Sequence, residues 1–171
     1  PRLTVLDGGN TDTVLRIVML AGTSGNVTIS TLRFTNGMET LNGYGGGLTV
    51  LPTGANTGDV LIERNIFQSN TNTAALGSSA GLAVSTGGVM TIRNNMFTHN
   101  TAGAASAMNL YNSAGHAYVT NNTVAYNTLL SAPVGNASVI YGGAGAAYAV
   151  FVNNIFVFVN DDVGDDIRLD S

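Results

Sequence analysis

Side chains that could carry out acid–base or nucleophilic chemistry are sparse in this sequence. Its 171 residues include six arginines, ten carboxylates and two histidines, with neither lysine nor cysteine. The lack of cysteine excludes disulfides, thiolate zinc sites and thiol nucleophiles, and the lack of lysine excludes a P-loop. The net charge of −4 and the scattered arginines provide no basic patch, so nucleic-acid binding by counterion release is not expected.

One acidic segment has the residue types of a metal site. The run NDDVGDDIRLD, at residues 160–170, contains five of the ten acidic residues. Calcium takes about six to eight oxygen ligands, and the run offers four aspartates for this role: Asp161, Asp162, Asp165 and Asp166. The run lacks the alternating acidic spacing of an EF-hand loop. The simpler interpretation is a solvated turn that leads into a last strand at residues 167–169.

The elements that position these side chains follow an internal repeat of about 30 residues. One column of large apolar residues recurs once per repeat: Phe34, Phe67, Phe97, Val124 and Phe156. Two further apolar columns precede it: Ile29, Ile62, Ile92, Val119 and Phe151, and, two residues earlier, Val27, Val60, Met90, Ala117 and Ala149. The two-residue step between these columns is typical of a strand with one buried face. A second strand is predicted in each unit, at residues 46–50, 80–84, 106–110 and 138–141.

Asparagines form two further columns in the repeat. The first contains Asn65, Asn95, Asn122 and Asn154, with Leu32 in the earliest copy, and the second contains Asn70, Asn100 and Asn127. An asparagine at a tight bend can hydrogen-bond to its counterparts in the coils above and below, and it tolerates left-handed backbone geometry. We therefore predict stacked asparagines at two bends, with the neighbouring Met96 and Phe97 divided between surface and core.

Short strands and glycine-rich turns, without any helical segment, predict an all-β solenoid. We predict a single-stranded right-handed parallel β-helix of about five to six coils, each of roughly 30 residues with three short strands, in which residues 1–171 form one domain. The runs GYGGG and GGAGAA are interpreted as bends that need positive φ or a close backbone approach. An antiparallel sandwich is the alternative, although it favours tight hairpins and a looser period. The apolar runs are shorter than the roughly 20 residues of a membrane-spanning helix.

The repeat brings half of the arginines to one region. Arg33, Arg64 and Arg93 lie near one strand and bend, and only Glu63 accompanies them. Because Glu63 and Arg93 occupy the same column in adjacent coils, we predict that they are in contact, in a pair worth up to about 1 kcal/mol. A polysaccharide lyase would need a basic residue of this kind beside calcium-binding acids. A solvated face with paired charges is the simpler interpretation.

The histidines and tyrosines indicate surface or bend positions. His99 shares a column with Ser69 and Tyr126, whereas His116 lies in a glycine-bounded turn, so the two histidines form no metal site and both are expected at the surface. Tyrosines are concentrated in the second half of the chain: Tyr111, Tyr118, Tyr126, Tyr141 and Tyr148. A glycan-binding strip of their rings is one interpretation, and burial in the core or at a bend is the favoured one. A single threonine column is too narrow for ice binding.

Two copies of the repeat, FQSN at Phe67 and FTHN at Phe97, resemble the FxxN motif of the polymorphic outer-membrane protein repeat. The GGL at residues 46–48 resembles its companion motif, and the runs LDGGN and NVTISTLRFTNG resemble bacterial right-handed parallel β-helix repeat proteins. The first and fourth copies depart from the motif, as FTNG and VAYN, and the outer-membrane barrel of that family is absent from this sequence. The resemblance implies a bacterial cell-surface or secreted role, adhesive or structural, and supplies no catalytic residue.

Parallel β-helices also include galacturonan hydrolases and polysaccharide lyases. The fragments NTD at residues 10–12, GHA at 115–117 and IRL at 167–169 resemble hydrolase motifs, but they are spread over the whole chain. Two carboxylates must lie roughly 5–10 Å apart to act on one glycosidic bond, and Asp12 and Asp161 are expected several coils apart. We therefore assign no catalytic, cofactor or metal residues.

These observations favour a non-enzymatic, extracellular or bacterial cell-surface β-helix with a structural or adhesive role. The chain starts in the strand-like run RLTVL, and no capping helix is recognised at either end, so both end layers are expected to be open. Either the chain is a segment of a longer protein or copies stack head to tail into a filament, with the acidic residues 161–170 attracted to Arg2 of the next copy. The alternative function is a carbohydrate-active enzyme, a polysaccharide lyase or hydrolase, or a glycan-binding β-helix.

Overall fold

The computed structural model describes residues 3–40, 44–74, 79–130, 137–143, 147–157 and 165–170. All regular structure in these residues is β-strand, arranged in four sheets that we name A to D. Sheet A contains β1 (Thr4–Asp7), β4 (Leu32–Thr35), β8 (Ile66–Gln68), β12 (Met96–Thr98), β16 (Thr123–Ala125) and β20 (Ile155–Val157). Sheet B contains β2 (Leu15–Met19), β6 (Leu48–Pro52), β10 (Leu82–Thr86), β14 (Ala105–Asn112), β18 (Ala137–Gly143) and β21 (Asp165–Asp170).

The two smaller sheets complete each coil. Sheet C contains β3 (Val27–Ser30), β7 (Val60–Glu63), β11 (Met90–Arg93), β15 (His116–Thr120) and β19 (Tyr148–Val152). Sheet D contains the two-residue strands β5 (Met38–Glu39), β9 (Thr71–Asn72), β13 (Thr101–Ala102) and β17 (Thr128–Leu129). The chain visits the sheets in the order A, D, B, C, and each strand pairs in parallel with its counterparts in the neighbouring coils.

This arrangement confirms the predicted all-β parallel solenoid, with two differences in detail. About four turns are complete, between β4 and β19, because the first coil contributes only β1, β2 and β3 and the last only β20 and β21. The prediction of five to six coils counted these partial coils as whole ones. Each complete coil also has four strands rather than three, since a two-residue strand follows the second asparagine bend.

The core is a set of apolar columns that run along the solenoid axis. Phe34, Phe67 and Phe97 are fully buried, and their rings stack with centroid separations of 4.9 and 4.7 Å and nearly parallel planes. The spacing equals the ordinary distance between paired strands, so the backbone register itself brings the rings face to face. Each buried large apolar side chain contributes about 1.5–3 kcal/mol. Met96 is 44% exposed while Phe97 is buried, so the predicted division between surface and core is confirmed.

Two ladders of buried asparagines close the coils. The side-chain oxygen of Asn95 accepts hydrogen bonds from the backbone N–H of Asn65, at 2.9 Å, and from its side-chain amide, at 3.2 Å. The amide of Asn95 in turn donates to the backbone oxygen of Ile62 at 2.9 Å. The second ladder repeats these contacts at the other bend, with Asn70, Asn100 and Asn127. The predicted asparagine stacking is confirmed.

The left-handed backbone lies one residue before each ladder, not at the ladder asparagines themselves. Positive φ occurs at the residue preceding the first ladder (Thr31, Arg64, Asn94, Asn121 and Asn153) and the second (Asn36, Ser69, His99 and Tyr126). The tolerance of asparagine for left-handed geometry is used instead by Asn94, Asn121 and Asn153, which precede the first ladder. The ladder asparagine must point inward to reach its counterpart, so the preceding residue makes the turn and points its side chain outward.

The GYGGG run, of which Gly43 lies outside the described residues, serves close backbone approach at Gly46 and Gly47. Built onto Gly47, a Cβ atom would lie 2.5 Å from the backbone oxygen of Gly81 in the next coil. At Gly46 it would lie 2.6 Å from the backbone oxygen of Thr71. Neither glycine has positive φ, so close approach alone explains them. In the GGAGAA run, residues 144–146 lie outside the described residues.

Candidate functional site

Charged side chains gather in two places on the described part of the molecule. The first is a cluster at the ends of β7 and β11, formed by Glu63, Arg64 and Arg93. Arg93 contacts the Oε2 atom of Glu63 through Nε at 2.9 Å and through a terminal guanidinium nitrogen at 2.8 Å. Arg64 contacts the Oε1 atom at 2.6 Å. The predicted contact between Glu63 and Arg93 is confirmed, and the strand register places the two residues directly opposite each other.

The charged groups of this cluster pair with one another, since both arginines contact the Glu63 carboxylate. The Arg93 hydrogen bond holds the pKa of Glu63 below its ordinary value, and the charges of Arg64 and Arg93 act in the same direction against the opposing effect of burial. A carboxylate held ionised in this way is poorly suited to proton transfer near neutral pH. Arg33 does not join the cluster; its guanidinium donates to Gln68 at 2.5 Å. The arrangement is that of paired surface charges.

The second place is a cleft of about 430 Å³ between the first and second coils. Its lining residues come from the turn before β2, from β2 itself and from β5: Thr11, Asp12, Thr13, Arg16, Met38, Glu39 and Thr40. The first coil has no strand in sheet D, and residues 8–14 form an irregular turn there instead. The cleft therefore lies where one coil departs from the regular repeat.

Glu39 is the least exposed polar residue that lines the cleft, at 8% exposure. Its Oε1 atom accepts the backbone N–H of Thr40 at 3.0 Å, and its Oε2 atom accepts the Thr13 hydroxyl at 3.3 Å. Strand register aligns Glu39 with Asn72, and the next coils carry Ala102 and Leu129 in the same column. A carboxylate thus occupies an inward position that other coils fill with amide or apolar side chains.

Asp12 and Arg16 complete the charged part of the cleft. The backbone oxygen of Asp12 accepts the N–H of Met38 at 2.9 Å, which ties this turn to the second coil. The guanidinium of Arg16 lies 4.6 Å from the centroid of the Tyr44 ring, in a cation–π contact. Both Asp12 and Arg16 are exposed. Among the described residues, no ion pair involves Arg16.

The structure does not bring together the three fragments that resemble hydrolase motifs. Residues 10–12 lie in the turn after β1, residues 115–117 begin β15 in sheet C of a middle coil, and residues 167–169 lie in β21 of the last coil. The carboxylate that shares a cleft with Asp12 is Glu39, which our sequence reasoning missed. Alignment on the phenylalanine column contains the signal, since Glu39 falls at the position that Asn72, Ala102 and Leu129 occupy in the next three copies.

The acidic run that was weighed as a calcium site lies largely outside the part of the chain that the structure describes. Asp161 and Asp162 lie outside the described residues, and only the backbone of Asp165 and Asp166 is described, within β21. The last strand predicted at residues 167–169 is confirmed by β21. Within the described ranges, no three acidic or histidine side chains gather in the geometry of a metal site.

The two histidines lie in different places, as predicted. His99 is exposed at a bend, and its ring is stacked with Tyr126 at a centroid distance of 5.6 Å. His116 lies at the start of β15 and stacks on Tyr148 at 3.8 Å. His116 is half-buried rather than fully on the surface, because the Tyr148 ring covers one of its faces.

The tyrosines divide between the two interpretations that the sequence left open. Tyr141 is buried, which agrees with the favoured interpretation, whereas Tyr126 lies at a bend but is 51% exposed, which does not. Tyr111 and Tyr148 are 45% and 47% exposed, so for these two residues it was wrong. The stacking of His116 on Tyr148 occupies one face of the Tyr148 ring.

Comparison of the chain with protein-family models, with curated protein sequences and with solved structures finds no match. The parallel solenoid is therefore known from the structure itself, and the narrower resemblance to the polymorphic outer-membrane protein repeat stays a prediction. No helix long and apolar enough to cross a membrane occurs in the described part of the chain.

Proposed function

We propose that this protein is a non-enzymatic, extracellular structural or adhesive β-helix of the bacterial cell surface, and that copies of it associate head to tail. The observation that carries the proposal is the partial exposure of apolar core residues in the two end layers. Apolar core residues there remain only partly buried, whereas their counterparts in the middle coils are fully buried. A layer of this kind is stabilised when another layer covers it, because more apolar surface leaves water.

The two end layers match each other column by column. The phenylalanine column starts at Leu6 and ends at Phe156. A column in sheet C starts at Ile29 and ends at Phe151, and one in sheet B starts at Leu15 and ends at Ile167. Stacking one copy on the next would therefore continue each of these columns with an apolar residue.

The strand edges at the two ends are also complementary. β1, β2 and β3 form one edge of their sheets, and β20, β21 and β19 form the opposite edge. Among the described residues, no strand pairs with the outer side of either edge, and a second copy in the same orientation offers the partners that a parallel ladder needs. The contact joins two different surfaces and does not close on itself, so it extends into a filament.

Extracellular location and adhesion are supported by the resemblance to cell-surface repeats and by the cysteine-free, Asn- and Thr-rich sequence. Arg2, Asp161 and Asp162 lie outside the described residues, and only the backbone of Asp165, Asp166 and Asp170 is described, so the attraction between residues 161–170 and Arg2 of the next copy stays a prediction. The apolar columns are therefore the basis of the assembly proposal.

The assembly proposal is tested with one variant at each end. We expect Leu6→Asp and Phe156→Asp each to abolish filaments in negative-stain electron microscopy, because each places a charge in the contact. An equimolar mixture of these two variants should form dimers, because the intact end of one variant still fits the intact end of the other. Light scattering measures the dimer mass. Met96→Asp, the same type of change on the outer surface of a middle coil, is the control and should leave filaments intact.

Two results would overturn this proposal. One is a wild-type chain that stays monomeric over the whole concentration range in which it is soluble. The other is a mixture of the two end variants that remains monomeric while circular dichroism shows both variants folded.

A further inference from the structure

We propose that the cleft between the first and second coils binds a neutral sugar residue of a surface or extracellular polysaccharide. The cleft contains several charged side chains although only 9% of the residues in the sequence are charged. Of six arginines and ten carboxylates in the chain, Arg16, Asp12 and Glu39 line this one cleft. Its volume of about 430 Å³ lies within the range of small-molecule sites, roughly 300–1,000 Å³.

Stacking of the coils does not explain the buried carboxylate of Glu39. The same column is continued by Asn72, Ala102 and Leu129, so the solenoid forms without an acid at this position. Burying a carboxylate costs free energy, and here the Thr40 N–H and the Thr13 hydroxyl hold it in a defined orientation. A fixed hydrogen-bond acceptor in the wall of a cleft is a common feature of ligand sites.

Arg16 supplies the donors. Its guanidinium is held against the Tyr44 ring at 4.6 Å, which restricts its orientation before any ligand arrives. The arginines that contact Glu63 use their charge within their own cluster, whereas no ion pair in the described ranges involves Arg16. Within the described ranges, its five N–H donors face no carboxylate at ion-pair distance. In the same lining, the Thr40 hydroxyl adds a donor and an acceptor, and the Thr11 hydroxyl, which donates to the backbone oxygen of Gly8 at 3.0 Å, adds an acceptor.

This mixture of groups selects the chemical class of the ligand. A sugar hydroxyl both donates and accepts, so neighbouring hydroxyls can donate to Asp12 and Glu39 and accept from Arg16. An anionic ligand would face two carboxylates, and a metal ion would face the guanidinium of Arg16. Neutral pyranose rings, with hydroxyls on successive carbons, satisfy both kinds of group at once.

None of the lining residues of the site belongs to the apolar columns that meet at the ends, but Arg16 lies in β2, the edge strand on which the next copy would stack, so the measurement needs a chain that does not assemble. Binding can therefore be measured on the Phe156→Asp chain, which we expect to remain monomeric. The probes are the methyl glycosides of glucose, galactose, mannose and N-acetylglucosamine, each titrated while amide NMR spectra of isotope-labelled protein are recorded. Titration to about 20 mM exceeds the roughly 1 mM Kd, or about 4 kcal/mol of binding free energy, of a weak single-sugar site.

We expect at least one glycoside to shift the amide signals of residues 11–16 and 38–40 in a saturable way. Asp12→Asn and Arg16→Ala should each weaken this binding at least about tenfold, the loss of one good hydrogen-bonding group. Both residues are exposed, so neither change should disturb the fold. Glu63→Gln is the matched control, since it removes a carboxylate from the other cluster and should leave the Kd unchanged.

Three outcomes would overturn the proposal. One is the absence of saturable shifts at these amides with every glycoside. Another is binding that persists unchanged in both Asp12→Asn and Arg16→Ala. The third is a saturable response of the same amides to calcium chloride alone, which would make the carboxylates a cation site instead.

Discussion

Arg93 donates a hydrogen bond from Nε to Oε2 of Glu63 in the adjacent coil, at 2.9 Å, and a terminal nitrogen of its guanidinium lies 2.8 Å from the same oxygen. The two residues are opposed in the parallel register of β7 and β11. The contact therefore reports the register directly, because a slip of one residue would turn one of the two side chains to the other face of the sheet. It also sets the acid sensitivity of this part of the surface.

The stabilising contribution of the ionised Glu63 carboxylate should be lost in acid. Because its pKa is lowered in the folded state, chiefly by the Arg93 hydrogen bond, its contribution is fully present above the unfolded-state value of about 4.3 and is lost as the pH falls through the folded value. The difference in the free energy of unfolding between wild type and Glu63→Gln should therefore shrink from pH 7 towards pH 2. Urea unfolding at several pH values measures it. A difference that stays constant with pH would contradict this assignment.

The asparagine ladder should be a major source of stability at the bends. Asn95→Gly removes the acceptor for two donors of Asn65 and the donor to Ile62, at a site only 3% exposed. We expect a loss of about 2–4 kcal/mol in the free energy of unfolding, because buried polar groups lose their partners.

Asn94→Gly is the matched control for the ladder. The freedom that glycine adds to the unfolded chain is the same at both positions, and Asn94 is exposed with a φ of 57°, which glycine adopts without strain. We expect a change within about 0.5 kcal/mol by denaturant unfolding. Equal losses in the two variants would mean that the ladder bonds contribute little.

Phe67 should be the most sensitive position of the stacked column, since its ring is sandwiched between Phe34 and Phe97. Phe67→Ala is expected to cost about 3–5 kcal/mol, through lost burial and the cavity left behind. Met96→Ala, on the outer face of the neighbouring strand, should change the free energy of unfolding by less than about 0.5 kcal/mol. Thermal and urea unfolding of both variants test the contrast, and similar losses would contradict the inside–outside assignment.

Alanine substitutions should distinguish glycines that a close backbone contact requires from glycines that have open space around them. Gly47→Ala would bring a Cβ atom to 2.5 Å from the backbone of Gly81, so we expect a loss of about 1–3 kcal/mol. Gly25→Ala meets nothing within 4 Å and should stabilise the protein by about 0.4–1 kcal/mol, by restricting the unfolded chain. The two melting temperatures should move in opposite directions, and a loss in both would show that Gly25 needs its flexibility.

The sequence by itself determined the solenoid, its columns and its register. Strand alternation and a repeat of about 30 residues place Phe34, Phe67 and Phe97 in one column, and parallel pairing then requires them to stack. The same reasoning predicted the asparagine ladders and the contact between Glu63 and Arg93. It did not identify the residue that makes each left-handed turn, since the alternation of side chains does not indicate which residue of a bend turns the backbone.

Only the tertiary structure decided where the chain departs from its own repeat. The cleft exists because the first coil lacks a strand in sheet D, and Asp12 and Glu39 meet there from different coils. Arg16 reaches Tyr44 in the same way, across coils. A repeat determines which positions stack, because every coil shares the same pairing geometry. It does not determine the path of an irregular turn, which depends on local packing against the next coil, and that path created the candidate site.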